Sequence, residues 1–129
     1  MPRNDDPDLG NDVVLWRAVP RLQIETNPDG SESIQSWAFR QFPDNEISAD
    51  IAAETTSERL AERFPPIDFR IAELTVADAR DCGNVVCRDP EGGDQSHVLI
   101  CPRAGKSRNR IYKDAARLAR RSRLRPEAE

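Results

Sequence analysis

A chain of 129 residues, 37% apolar and 33% charged, is sized for one domain with a modest core and a highly charged surface. Three cysteines do not make a disulfide framework, no apolar run is long enough to cross a bilayer, and the opening residues lack the basic and apolar regions of a secretory signal. These features exclude a membrane-spanning or disulfide-stapled class and lead us to expect a cytosolic protein with free thiols and no cofactor. The net charge of −4 conceals an asymmetry: residues 1–101 hold nine Lys/Arg against twenty Asp/Glu, whereas residues 102–125 hold ten Lys/Arg against Asp114 alone.

Residues 1–11 are polar and rich in acid and proline, the composition of a disordered tail, so the domain is expected over 12–124, with 125–129 a second loose end. "DVVLWRAV" (12–19) is β-branched and aromatic, a strand that Pro20 ends. "RLQIE" (21–25) alternates polar and apolar residues as a half-buried strand does. "NPDG" (27–30) is a turn: proline presets φ and Asp-Gly tolerates a positive φ. "SIQSWAFRQF" (33–42) reads as the returning strand, with Trp37 and Phe39 on one face and in the core, and "EISADIA" (46–52) as another strand.

"TTSERLAERF" (55–64) opens on a capping box of Thr55 and Glu58, places Leu60 and Phe64 on one helical face, and stops at Pro65-Pro66. "DFRIAELTV" (68–76) alternates again, putting Arg70, Ala72 and Leu74 opposite Phe69, Ile71 and Glu73. A short helix over 75–83 is capped by Thr75 and ended by Gly83. "NVVCRD" (84–89) and "HVLIC" (97–101) flank the polar "PEGGDQS" and predict an antiparallel hairpin. From about Lys106 the period becomes helical, with Ile111, Ala115, Leu118 and Ser122 on one stripe and Arg110, Lys113, Arg117, Arg120 and Arg121 on the other side. The sum is a single α+β domain: five or six mainly antiparallel strands, two short helices and a basic C-terminal helix.

Three groupings bear on chemistry. Cys82, Cys87, His97 and Cys101 form C-x4-C-x9-H-x3-C, donors of the kind zinc takes. However, four strand residues put His97 and Cys101 about 13 Å apart, so no metal site is expected. His97, the only histidine, starts a strand opposite Asp89. A carboxylate that orients an imidazole is the pairing general acid–base catalysis uses. The third grouping is the basic helix, whose arginines suit phosphate or carboxylate. The leading expectation is therefore an accessory protein that binds an acidic partner, protein or nucleic acid, through 106–124, without membrane contact. The alternative is a small enzyme for a phosphorylated or nucleotide-like substrate. In it His97 is the acid/base, Asp89 its orienter, and Arg17 or Arg88 the holder of the anion.

The segments "LWRAV", "SWAFRQFPDNEISADIA", "VVCRDP" and "SHVLI", in that order, resemble a family of small bacterial proteins of no known activity. The resemblance covers most of 14–124 and picks out Arg17, Ser36, Phe39, Ser48, Asp50, Arg88, Asp89 and His97. Trp37 after the serine and Ala49 between Ser48 and Asp50 depart from the pattern. The resemblance implies that polar residues from several strands converge on one place.

Overall fold

The computed structural model describes residues 3–41, 44–63, 68–89 and 94–126. Among the described residues there are eight strands: β1 (Val14–Pro20), β2 (Ile24–Thr26), β3 (Glu32–Ile34), β4 (Ile47–Ile51), β5 (Phe69–Thr75), β6 (Asn84–Arg88), β7 (His97–Pro102) and β8 (Arg123–Leu124). The helices are α1 (Ser57–Arg63), α2 (Val76–Asp81) and α3 (Arg108–Arg121). Six strands make one antiparallel sheet in the order β6-β7-β4-β1-β5-β8, and β2 and β3 form a separate hairpin. This is the expected α+β architecture.

Alternation within the strands sorts the large sheet into two faces, since residues directly opposite on paired strands point the same way. The inner face carries Leu15, Val19, Ile47, Ala49, Ile51, Ala72, Leu74, Val86, Val98 and Ile100, all buried in one cluster with Val76 and Ala79 of α2 and Ala115, Leu118 and Ala119 of α3. The outer face holds the other register: Trp16 opposite Asp50 and Glu73, Asp50 opposite His97, and Glu73 opposite Arg123. In β5 the sequence pattern holds throughout, with Arg70, Ala72 and Leu74 buried and the residues between them half-buried.

Turn and cap chemistry explains most boundaries. In the β2–β3 turn, Gly30 takes φ +88°, with its N–H bonded to the Asn27 carbonyl. Thr75 caps α2 in a reciprocal box with Asp78. Gly83 ends it at φ +77°, where a side chain would collide with Lys106 and Asp114.

Five expectations need correction. Residues 1–11 are not a free tail over their described part. Leu9 is buried in the core, the Asp6 N–H bonds the Val86 carbonyl, and the Asp5 carboxylate accepts the Val86 N–H. Arg125 is no loose end either: its N–H bonds the Ile71 carbonyl, and its guanidinium packs on Trp16. "SWAF" is a 3-10 turn (Ser36–Phe39) rather than part of a strand. Residues two apart diverge there, so Phe39 is buried while Trp37 stays 41% exposed. Arg21–Gln23 is also a 3-10 turn, which leaves only Ile24–Thr26 extended. The cap of α1 is Thr56, whose hydroxyl accepts the Arg59 N–H, one residue beyond the expected Thr55. Phe42, Phe64 to Pro66, the hairpin tip at 90–93 and residues 127–129 lie outside the described residues.

Candidate functional site

The β6–β7 hairpin builds the site. Its ladder runs from Asn84↔Pro102 to Arg88↔Val98, and the Asp89 N–H donates to the His97 carbonyl at 2.9 Å, one step further. That pairing brings the Asp89 side chain across to the imidazole. His97 Nδ1 stands 3.0 Å from the Asp89 carbonyl oxygen and 3.3 Å from Asp89 Oδ2. A carbonyl oxygen can only accept, so Nδ1 carries the proton and the neutral ring keeps its lone pair on Nε2. Nε2 has no partner among the described residues. Both side chains are mostly covered, 15% and 16% exposed.

β4 supplies the neighbouring groups. Asp50 lies opposite His97 in the register and is buried, and its Oδ1 accepts the Ser96 hydroxyl at 2.9 Å. The Ile51 N–H bonds the Ser96 carbonyl, which ties the approach to β7 onto the end of β4. A transverse row therefore crosses the outer face: Asp89, His97, Asp50, Trp16, Glu73 and Arg123. Asp89 was foreseeable from the hairpin, whereas Asp50 and Trp16 join only through strand register. The outer-face phase of β4, Ser48 and Asp50 alternating with apolar residues, was the one local signal.

The two candidate anion-holding arginines do not join the dyad. Arg17 points to the inner face, where Nε donates to the Ala38 carbonyl at 2.7 Å and Nη1 to the Ser48 carbonyl at 2.8 Å. It clamps the 3-10 turn to β4, and burial lowers its pKa to about 10. Arg88 is committed to Glu54, 3.1 Å away, and to the Gln95 carbonyl. Ser48, Asp50, Asp89 and His97 lie on the outer face, while Arg17 reaches from the inner face to the turn that holds Ser36 and Phe39.

The cysteines are thiols, and no cluster of three or more potential ligands is present among the described residues. Burial pushes the Cys101 thiol up to about 12, and the neighbouring Cys87 adds to the effect, so it is held as an unreactive SH.

The basic helix is largely engaged by its own protein. Asp114, on the buried side of α3, receives Lys106, Arg110 and Arg117. Burial opposes its ionisation, but the Lys106 ammonium and the two guanidiniums prevail and hold its pKa below the usual carboxylate range. Arg121 pairs with Asp81 at 3.0 Å, and Arg117 also donates to the Asp81 carbonyl. Of the five cations expected to meet a partner, Lys113 and Arg120 alone have no ion pair among the described residues. No described helix is long and apolar enough to cross a membrane. No family model matches the chain, and neither a curated protein nor a solved structure is similar to it.

Proposed function

We propose that the protein is a small acid–base catalyst in which His97 Nε2 takes a proton from, and returns it to, a bound polar substrate. The observation that carries this reading is geometric: the Asp89 carbonyl and carboxylate oxygens both face His97 Nδ1, at 3.0 and 3.3 Å, and Nε2 has no partner among the described residues. On proton uptake the imidazolium is stabilised by the adjacent carboxylate, the role a carboxylate plays beside a catalytic histidine. Neither Arg17 nor Arg88 supports a phosphorylated substrate, since both are spent on internal partners.

Two measurements test the reading. With a single histidine in the chain, ¹⁵N-detected NMR reports one imidazole, which is expected as the Nδ1–H tautomer in the wild type and also in Asp89→Asn, where the backbone carbonyl is unchanged. An Nε2–H tautomer in the wild type removes the base. A hydrolysis and isomerisation screen of small esters, amides and hydroxy acids should give a turnover that falls at least about 100-fold in His97→Ala. Turnover untouched by that change defeats the proposal.

A second reading keeps the accessory role, with α3 meeting an acidic partner. It is favoured by one observation: Lys113 and Arg120 are exposed and unpaired among the described residues, and Arg120 and Arg123 line a cleft of about 680 Å³ with Arg70. Under that reading Lys113→Glu with Arg120→Glu abolishes retention on a polyanion column. Unchanged retention dismisses it.

A further inference from the structure

A second cleft, of about 650 Å³, opens on the outer face beside Trp16. Its apolar floor is Trp16, Phe69, Ile71 and Ala61, and α1 contributes Ser57 and Glu58 to its wall. The indole is fixed, because Nε1 donates to Glu73 Oε2 at 3.1 Å. That hydrogen bond, followed by the neighbouring Arg125, keeps the Glu73 carboxyl below its ordinary pKa and therefore charged. A held aromatic face with a carboxylate at its edge is the arrangement that binds a planar cation.

The protein already places such a cation there. The Arg125 guanidinium lies 4.6 Å from the Trp16 ring centroid and 3.0 Å from Glu73 Oε2. Its side chain is nevertheless 44% exposed, and its backbone is anchored independently, the N–H to the Ile71 carbonyl and the carbonyl to the Arg70 guanidinium. The side chain can therefore swing away while β8 stays in place. The charges around the cleft favour a cation over an anion. Arg21 is paired with Asp68, Arg70 with Glu32 and Arg125 with Glu73, whereas Glu58 has no cation among the described residues.

We propose that this cleft is a receptor for the guanidinium of an arginine side chain on a partner polypeptide, and that Arg125 is its built-in competitor. An incoming arginine displaces the Arg125 side chain from Trp16 and takes over the bond to Glu73. Its flanking residues then lie along Phe69 and Ile71, with Glu58 available to a second positive group.

The test uses the full chain carrying Trp37→Phe, so that Trp16 is the sole indole. The probes are acetylated, amidated pentapeptides with a central arginine, lysine or glutamate, followed by tryptophan emission and by the indole N–H resonance. The arginine peptide should give a saturable response and the lysine peptide one at least about fivefold weaker, because an ammonium cannot both stack and bridge. Arg125→Ala should bind the arginine peptide about tenfold more tightly if self-occupancy is near nine-tenths. Glu73→Gln, which keeps an oxygen to accept the indole N–H but removes the charge, should lose binding while the indole N–H resonance stays that of a folded protein. Free arginine amide should bind more weakly than the peptide. The proposal is overturned by no saturable response in Arg125→Ala, by equal responses to arginine and lysine that survive Glu73→Gln, or by preference for the glutamate peptide.

Discussion

Arg17 illustrates how a residue chosen for charge ends up valued for shape. Its guanidinium bridges two backbone carbonyls from different segments and meets no carboxylate among the described residues. Lysine keeps the charge but cannot offer two donors in a fixed fork. Arg17→Lys should therefore cost about 1–2 kcal/mol in chemical denaturation, with the cooperativity of the transition kept. Asp114 makes the opposite case, since its charge is the point. Its pKa is depressed in the fold, so its contribution is complete above the unfolded-state carboxylate range and is lost as pH falls through the lower, folded value. Stability should decline on the acid side of about pH 4, and Asp114→Asn should flatten that decline while removing about 3 kcal/mol at neutral pH. An acid limb of unchanged steepness in Asp114→Asn would contradict the assignment.

At the scale of elements, the junction of α2 with β6 concentrates several requirements at one glycine. Gly83 combines a positive φ with a position where a Cβ would collide with Lys106 Nζ and sit 2.7 Å from Asp114 Oδ2. Gly83→Ala should thus cost more than the roughly 1 kcal/mol of left-handed strain alone, about 2–3 kcal/mol, because the buried ion pair must also shift. Calorimetry of this variant beside Gly30→Ala separates the two terms, since nothing lies within 4 Å of a Cβ at Gly30. This junction was readable from the sequence: Thr75 and Gly83 announce a cap and a stop, and β5 declares its buried face by simple alternation. The Ser36–Phe39 turn was not, because a short apolar-polar run has the same composition whether its period is two or three. The dyad was half legible. A hairpin forecast puts Asp89 near His97, but only the pairing of β4 with β7 reveals that Asp50 stands on the other side.

Across the whole molecule, the basic helix is largely balanced from within: Arg110 and Arg117 pair with Asp114 of the same helix, and Arg121 reaches Asp78 and Asp81 of the acidic body. The charge asymmetry in the sequence is real, and much of it is settled internally through Asp78, Asp81 and Asp114. Moderate salt should therefore lower stability, and the Asp81→Asn variant should lose part of that sensitivity. A melting temperature indifferent to salt would mean that these pairs contribute nothing. Long-range closure is also what local composition hides. Leu9 lies in a stretch otherwise free of large apolar residues, yet it is 3% exposed. Leu9→Ala should cost about 2–3 kcal/mol, a core-sized loss from a segment that resembles a tail.

The contact of residues 5 and 6 with Val86 has a consequence for how this molecule meets its own copies. A bare outer strand is a template on which another chain can add, and the usual outcome is fibrous association. Here the Val86 N–H and C=O are both taken, by Asp5 and Asp6, and Arg80 holds that segment down through Asp5, Asn11 and the Asp6 carbonyl. At the far margin β8 occupies Ala72 and Glu73 in the same way. Two short stretches more than a hundred residues apart thus act as selvedges, and the sheet frays toward self-association only where one of them is picked loose.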